Sequence, residues 1–458
     1  MAIFLFIFIF EALLCNIILV PTLDTNAESA SLIMLGINVV IIYFILLLTK
    51  KEDEDRNVVS KMLVFSFSLR IFLLLWDIYA RDIFVLPNSE ADAVWYHNIA
   101  VSYAFQGRAN VVDLTDYSYY VGLLYKAIGV QKITVEFLHV FLTMWAMVLI
   151  YKIMCMLGID AKIRTTAMAF VCFLPNLMII STVFLQESVI AFLSILSLYY
   201  YTVWWTKHKT IYFLLAILAS SASAFLHTGG AVTAIAFVVT YMFIGNKERE
   251  VRLTGGKLFI GVVLIFGMLM IMTAYGDVLF GKIGGELSAE SIVSNVGKTD
   301  RVSDSDYSVG IKGLPPALDI IVNSPIRIIS FIFAPLPWMW RGISDIVAFF
   351  GSAIFYIYVF VLTIKAFIAV KGKEKPEKIW AFFVVLVVTW LIASLMFGWG
   401  VSNTGTALRH REKFTYICVV LFATSKEILR RTEKVNAEQK NISNRTDIQG
   451  RKLSKRMR

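Results

Sequence analysis

Apolar runs of about 17–25 residues, the length that crosses a bilayer core, recur along the whole chain. Backbone N–H and C=O groups surrounded by lipid have no water to bond, so each such run must satisfy them internally as a helix. About twelve runs can be read: Ile3–Val20, Leu32–Leu48, Met62–Tyr79, Val135–Leu157, Thr165–Phe184, Ser188–Trp205, Ile211–Leu226, Ala231–Ile244, Leu258–Tyr275, Ile343–Val370, Ile379–Phe397 and Phe414–Leu429. The expected fold class is therefore all-α, a polytopic transmembrane helical bundle. Composition agrees: 58% of the 458 residues are hydrophobic and only 17% charged, outside the range of soluble domains. The first run carries Glu11 and lacks both a basic flank and a small-residue cleavage site, so it reads as a retained helix. Cys15, Cys155, Cys172 and Cys418 fall inside apolar runs without metal spacing and behave as small hydrophobes.

Lys and Arg in the short connections set the orientation. One set of connections contains KKEDEDR, DAKIR, TKHK, GNKEREVR and KGKEKPEK; the alternate set contains PTLDTNAESA, LQES and HTGG, with no Lys or Arg. The first set is expected in the cytoplasm, with both termini, in a multi-pass membrane protein. The net charge of +10 then belongs to the membrane surface rather than to nucleic acid, since a quarter of the basic residues follow Ser425. Residues 1–428 form the expected bundle, with outer loops near 80–133, 276–342 and 398–413, and residues 429–458 form a basic tail expected to be disordered. SPIRIISFIFAPLPWMW is apolar but too Pro-punctuated to span, and reads as re-entrant or interfacial, with Trp338 and Trp340 at headgroup level.

The outward polar features supply the candidate site. From Asp92 the spacing is helical and puts Asp92, Tyr96, Ala100 and Ala104 on one face, with His97 beside it. Asp92 fits either an N-cap or a reacting carboxylate, and Glu90 either a solvated loop acid or a second carboxylate. YSYYVGLLYKAIG, from Tyr117 to Gly129, reads as a helix lying in the interface. Glu187 lies at an outer turn, as an N-cap acid or a site residue, and His227 at another, as a packed polar residue or a ligand contact. Glu11 and Arg70 sit within their spans, where an unpaired charge is costly, and are expected to pair.

NTGTALRHREKF, Asn403–Phe414, breaks the charge rule: Arg409, His410, Arg411 and Lys413 crowd a loop whose counterparts avoid positive charge. Contact with anionic lipid is one explanation. The other is a phosphate clamp, since a guanidinium matches phosphate oxygens as a planar fork; a polyprenyl phosphate or pyrophosphate would fit.

The acid–x–acid lead into D-x3-YH-x2-A, the following Y-x2-LLYKAIG, and later LHTGG and NTGTALRHREKF resemble the C-type membrane glycosyltransferases and the repeat-unit polymerases of bacterial surface polysaccharides. The likeness runs from about Met62 to Thr424. It implies an acid of the first outer loop as catalytic base, here Asp92 with Glu90 second, and a late basic residue on the lipid phosphate, here Arg409 or Arg411, with His410 adding charge. Tyr96, His97, Glu187 and His227 join them as candidate binding residues. The implied partners are a polyprenyl-linked sugar donor, a glycan or lipid acceptor, and membrane lipids. Neither ATP nor a phosphate loop is required for such a donor, and the resemblance leaves room for a divalent cation. The chain departs from the pattern in having two helices before the catalytic loop and no adjacent acidic pair.

The expected activity is glycosyl transfer at the outer face. Repeat-unit polymerisation is the nearest alternative, and a lipid-linked glycan flippase or transporter a more distant one. No GxxxxGK[ST] phosphate loop occurs, and a donor already activated by phosphate needs none.

Overall fold

The computed structural model describes residues 17–18, 20–22, 27–48, 54–90, 92–108, 111, 114–227, 230–243, 310–311, 313–371, 377–401 and 404–456. The expected spans Ile3–Val20 (but for its last residues) and Leu258–Tyr275, and most of the loop 276–342, lie outside them. No strand occurs among the described residues.

The helices are α1 (Ala27–Leu48), α2 (Glu54–Tyr79), α3 (Asp92–Gln106), α4 (Asp116–Ile128), α5 (Lys132–Met156), α6 (Ala161–Phe173), α7 (Pro175–Ile180), α8 (Glu187–Lys207), α9 (Thr210–Leu226) and α10 (Ala231–Phe243). After the undescribed segment come α11 (Pro316–Phe333), α12 (Ile343–Ala348), α13 (Ile354–Ala369), α14 (Glu377–Gly400) and α15 (Thr404–Arg456). Among the described residues, five stretches are long and apolar enough to cross a membrane: Asp55–Tyr79, Lys132–Met156, Glu187–Lys207, Asp345–Ala369 and Ile379–Trp399. The fourth joins α12 to α13 through a π turn at Phe349–Ala353. These apolar helices make the chain a membrane protein. Helix α5 is its axis: 83% of its spanning window is buried, against 33% in α2.

Two expectations change. Thr165–Phe184 is not one helix, because α6 ends at Phe173 and a short α7 begins at Pro175. Proline has no N–H to donate to the carbonyl four residues back, that of Val171. Arg70 of α2 fills the gap: its guanidinium donates to the Val171 carbonyl at 3.5 Å, the Cys172 carbonyl at 3.1 Å and the Ser181 hydroxyl at 3.0 Å. That mid-span charge is thus spread over protein oxygens; its expected partner Glu11 lies outside the described residues. The second change concerns the charged stretch before the last span. It is no loop from Thr404 onward but the start of α15, which continues as helix to Arg456 through the tail expected to be disordered.

Contacts sort the bundle into two ends. At one, Asp55 pairs with Arg164 at 2.5 Å, and Glu427 receives Arg430 at 2.6 Å and Arg431 at 2.7 Å. The other end carries α3, α4, the Ser181–Gln186 turn and the first turns of α8 and α15. There α3 and α4 pack over a small apolar cluster that includes Tyr96, Ala100, Tyr117, Val121, Phe184 and Leu185. Gly122 lets them meet: a Cβ there would lie 2.6 Å from the Tyr103 ring and 2.9 Å from the Ala100 carbonyl. Helix α11 packs on α14, where the Trp399 indole donates to the Ser324 hydroxyl at 2.6 Å. Beyond it Trp338 is 80% exposed, whereas the Trp340 indole donates to the Pro335 carbonyl at 3.4 Å.

Candidate functional site

Three helix starts converge at this second end. Asp92 is the first residue of α3 and Glu187 the first of α8, positions where a carboxylate is favoured by the positive end of the helix dipole. Arg409 lies in the second turn of α15 and reaches both acids. Its Nη1 pairs with Asp92 Oδ2, and its Nε donates to Glu187 Oε1 at 3.3 Å. The two acids differ sharply in setting, since the Glu187 side chain is fully buried and that of Asp92 is 49% exposed.

Helical spacing brings Lys413 into the same group, one turn beyond Arg409. The buried Lys413 ammonium lies 3.9 Å from Glu187 Oε1 and 2.8 Å from His410 Nδ1. A lysine ammonium has only donors, so in this contact His410 Nδ1 is the acceptor. His410 packs on the Phe397 ring at 4.9 Å and on His227 at 5.1 Å, and His227 stacks on Phe397 at 5.6 Å.

Tyr96 closes the other side. Its hydroxyl oxygen accepts from Gln186 Nε2 at 3.1 Å and also bonds Arg409. Burial, and then the Glu187 charge, push its pKa well above the ordinary phenol value, so it stays a protonated donor. For Arg409, burial opposes the charge, but the Glu187 and Asp92 carboxylates outweigh it and raise its pKa, so it is a fixed cation.

The other expected site residues lie elsewhere. Glu90 is exposed on the approach to α3, its carbonyl accepting from the Ala93 N–H at 3.0 Å. His97 packs among other residues: its Nδ1 is 3.0 Å from the Tyr125 hydroxyl, and its ring meets Phe184 edge-on at 5.2 Å. Burial, and then the Lys132 charge, lower its pKa to about 4. Arg411 is committed to the fold: it donates to the carbonyls of Ile332 at 2.6 Å and Ala334 at 2.5 Å, and lies over the Tyr356 ring at 5.3 Å. A cation is favoured there, at the carbonyl-rich end of α11.

Gln186 and Lys413 complete the site without having been singled out as ligands. Read as helix, the charged stretch would have put Lys413 with Arg409 and turned Arg411 about 200° away around the axis. Among the described residues, no group of three or more His, Cys, Asp or Glu is placed to hold a metal ion. Comparison with protein-family models, curated proteins and solved structures gave no match to this chain. The functional reading therefore rests on the site itself. It offers one accessible carboxylate, one fixed guanidinium with a buried counter-charge, and neutral donors around them.

Proposed function

We propose that this membrane protein is a glycosyltransferase that takes sugar from a polyprenyl-phosphate or pyrophosphate carrier and passes it to a glycan or lipid acceptor. In this reading about twelve spans cross the bacterial plasma membrane, both termini are cytoplasmic, and the Asp92–Glu187–Arg409 group faces the outer leaflet. Beyond the motif resemblance, the observation that carries it is the sharing of Arg409 between an accessible acid and a buried one.

The acceptor hydroxyl oxygen attacks the anomeric carbon and forms the new glycosidic bond. The bond from that carbon to the phosphate oxygen breaks, and its electron pair leaves with the phosphate. The hydroxyl proton passes to Asp92, the only one of the two acids open to solvent. Charge growing on the departing phosphate is met by Arg409, and Lys413 adds a second positive charge behind it. Tyr96 adds a neutral donor. A divalent cation would have Asp92 and Glu187 as carboxylate ligands, and the Arg409 guanidinium already bridges the two.

The test is incorporation of labelled sugar from a polyprenyl-linked donor in membranes containing wild type, Asp92→Asn or Arg409→Ala at matched protein levels. Loss of incorporation in both variants is expected. Wild-type incorporation in both would overturn the reading, and a ladder of lengthening products would mark a repeat-unit polymerase instead.

A further inference from the structure

The Arg409 ion pairs are unequal, and the inequality gives the site an order of events. Glu187 holds the guanidinium through Nε from the buried side, backed by Lys413. Asp92 holds it through Nη1 from the half-exposed side. Two cations and two carboxylates make the group neutral as it stands. A ligand arriving from solvent meets the Asp92 side first, and any anion it brings competes with that carboxylate alone.

We infer that the Asp92 carboxylate is an internal occupant of the anion site on Arg409, and that a phosphate monoester or diester displaces it while Glu187 keeps the guanidinium in place. The inference rests on the lipid-phosphate reading above and adds a regulation to it. While Asp92 is paired with Arg409, its oxygen is engaged by the guanidinium and is not open to the acceptor hydroxyl. Phosphate takes over the guanidinium and releases that oxygen, so the base is freed only when the donor is bound. Removing Asp92 leaves Arg409, Lys413 and Glu187 with one net positive charge, which only the incoming anion neutralises. Glu187 is accordingly a positioning residue: it fixes Arg409 through the exchange and does not touch the reacting atoms.

The consequence runs against the usual effect of deleting a site residue, because loss of Asp92 improves binding of the phosphate. The experiment measures binding of farnesyl phosphate to the full-length protein in detergent, with farnesol and inorganic phosphate as parallel probes. Removal of a partly exposed competing ion pair tightens farnesyl phosphate binding by roughly three- to tenfold in both Asp92→Asn and Asp92→Ala. Arg409→Ala abolishes it, and Glu187→Gln weakens it. Farnesol binding unchanged across the set assigns the effect to the phosphate. Parallel tightening for inorganic phosphate extends the site to free phosphate, and no such tightening restricts it to the lipid ester. Unchanged or weaker farnesyl phosphate binding in both Asp92 variants, with melting temperatures near wild type, overturns the exchange. The outcome separates from the transferase reading because no sugar moves in this measurement. Tightening without any sugar transfer by wild type keeps the exchange and rejects the transferase.

Discussion

Arg409 and Asp92 lie 317 residues apart in the chain, yet they form an ion pair between the starts of two helices, α15 and α3. Glu187 buttresses the pair from the start of a third, α8. Three positive helix ends around one guanidinium would repel one another and the cation without the two acids. The acids therefore serve the fold as well as the site.

Their contributions to stability should differ. Glu187→Gln leaves Arg409 and Lys413 facing a buried neutral amide, a loss of about 3–5 kcal/mol. Asp92→Asn breaks a partly exposed pair and costs roughly 0.2–1 kcal/mol. Thermal unfolding in detergent should show a large drop in midpoint for the first and little change for the second. Equal drops would mean that the difference in exposure has no energetic weight.

The two arginines of the charged stretch should separate cleanly. Arg409→Lys keeps the charge but loses the fork that reaches Asp92 and Glu187 together, so the proposed sugar transfer should fall about tenfold or more in a folded protein. Arg411→Met uncovers the carbonyls of Ile332 and Ala334 and costs about 1–3 kcal/mol, with transfer per folded molecule retained. Melting midpoints and specific activity measured on the same preparations check both.

That separation shows how far the sequence could be read. Five of the apolar runs form long helices among the described residues, since a run of that length in lipid must bond its own backbone, and Asp92, Tyr96 and Ala100 share one face as helical spacing requires. The charged stretch misled because the charge rule favoured a loop, and a loop gives no angular difference between Arg409 and Arg411. Thr165–Phe184 was read through Pro175, although a missing N–H at that position breaks the helix. No local pattern could have paired Asp92 with Arg409: the contact exists only once α3, α8 and α15 are packed.

His97 supplies a prediction in pH. Its pKa of about 4, set by burial and then by Lys132, lies below the value of about 6.5 expected in the unfolded chain. The unfolded state therefore binds its proton first, and stability is lost as pH falls from about 6.5 towards 4. The neutral ring bonds Tyr125, so His97→Asn should flatten this part of the stability curve against pH. Unfolding midpoints between pH 7 and pH 4 that fall equally in wild type and variant would contradict the assignment.

Arg70 carries a prediction about the break at Pro175. Arg70→Met leaves the Val171 and Cys172 carbonyls without its donors and should cost about 1–3 kcal/mol for each group left unsatisfied. Pro175→Ala restores an N–H near Val171 and should recover part of the loss in the double variant. Additive effects of the two substitutions would show that arginine and proline act independently.

In the proposed reaction Arg409 receives the phosphate of a lipid-linked sugar at an outward site. Release of polyprenyl phosphate or pyrophosphate from its glycosylated form tests it most directly, with purified protein in liposomes and an acceptor supplied. Wild type should release the carrier, with none released by Arg409→Ala and none by Asp92→Asn despite tighter phosphate binding. Release by Arg409→Ala at the wild-type rate would contradict that role for Arg409.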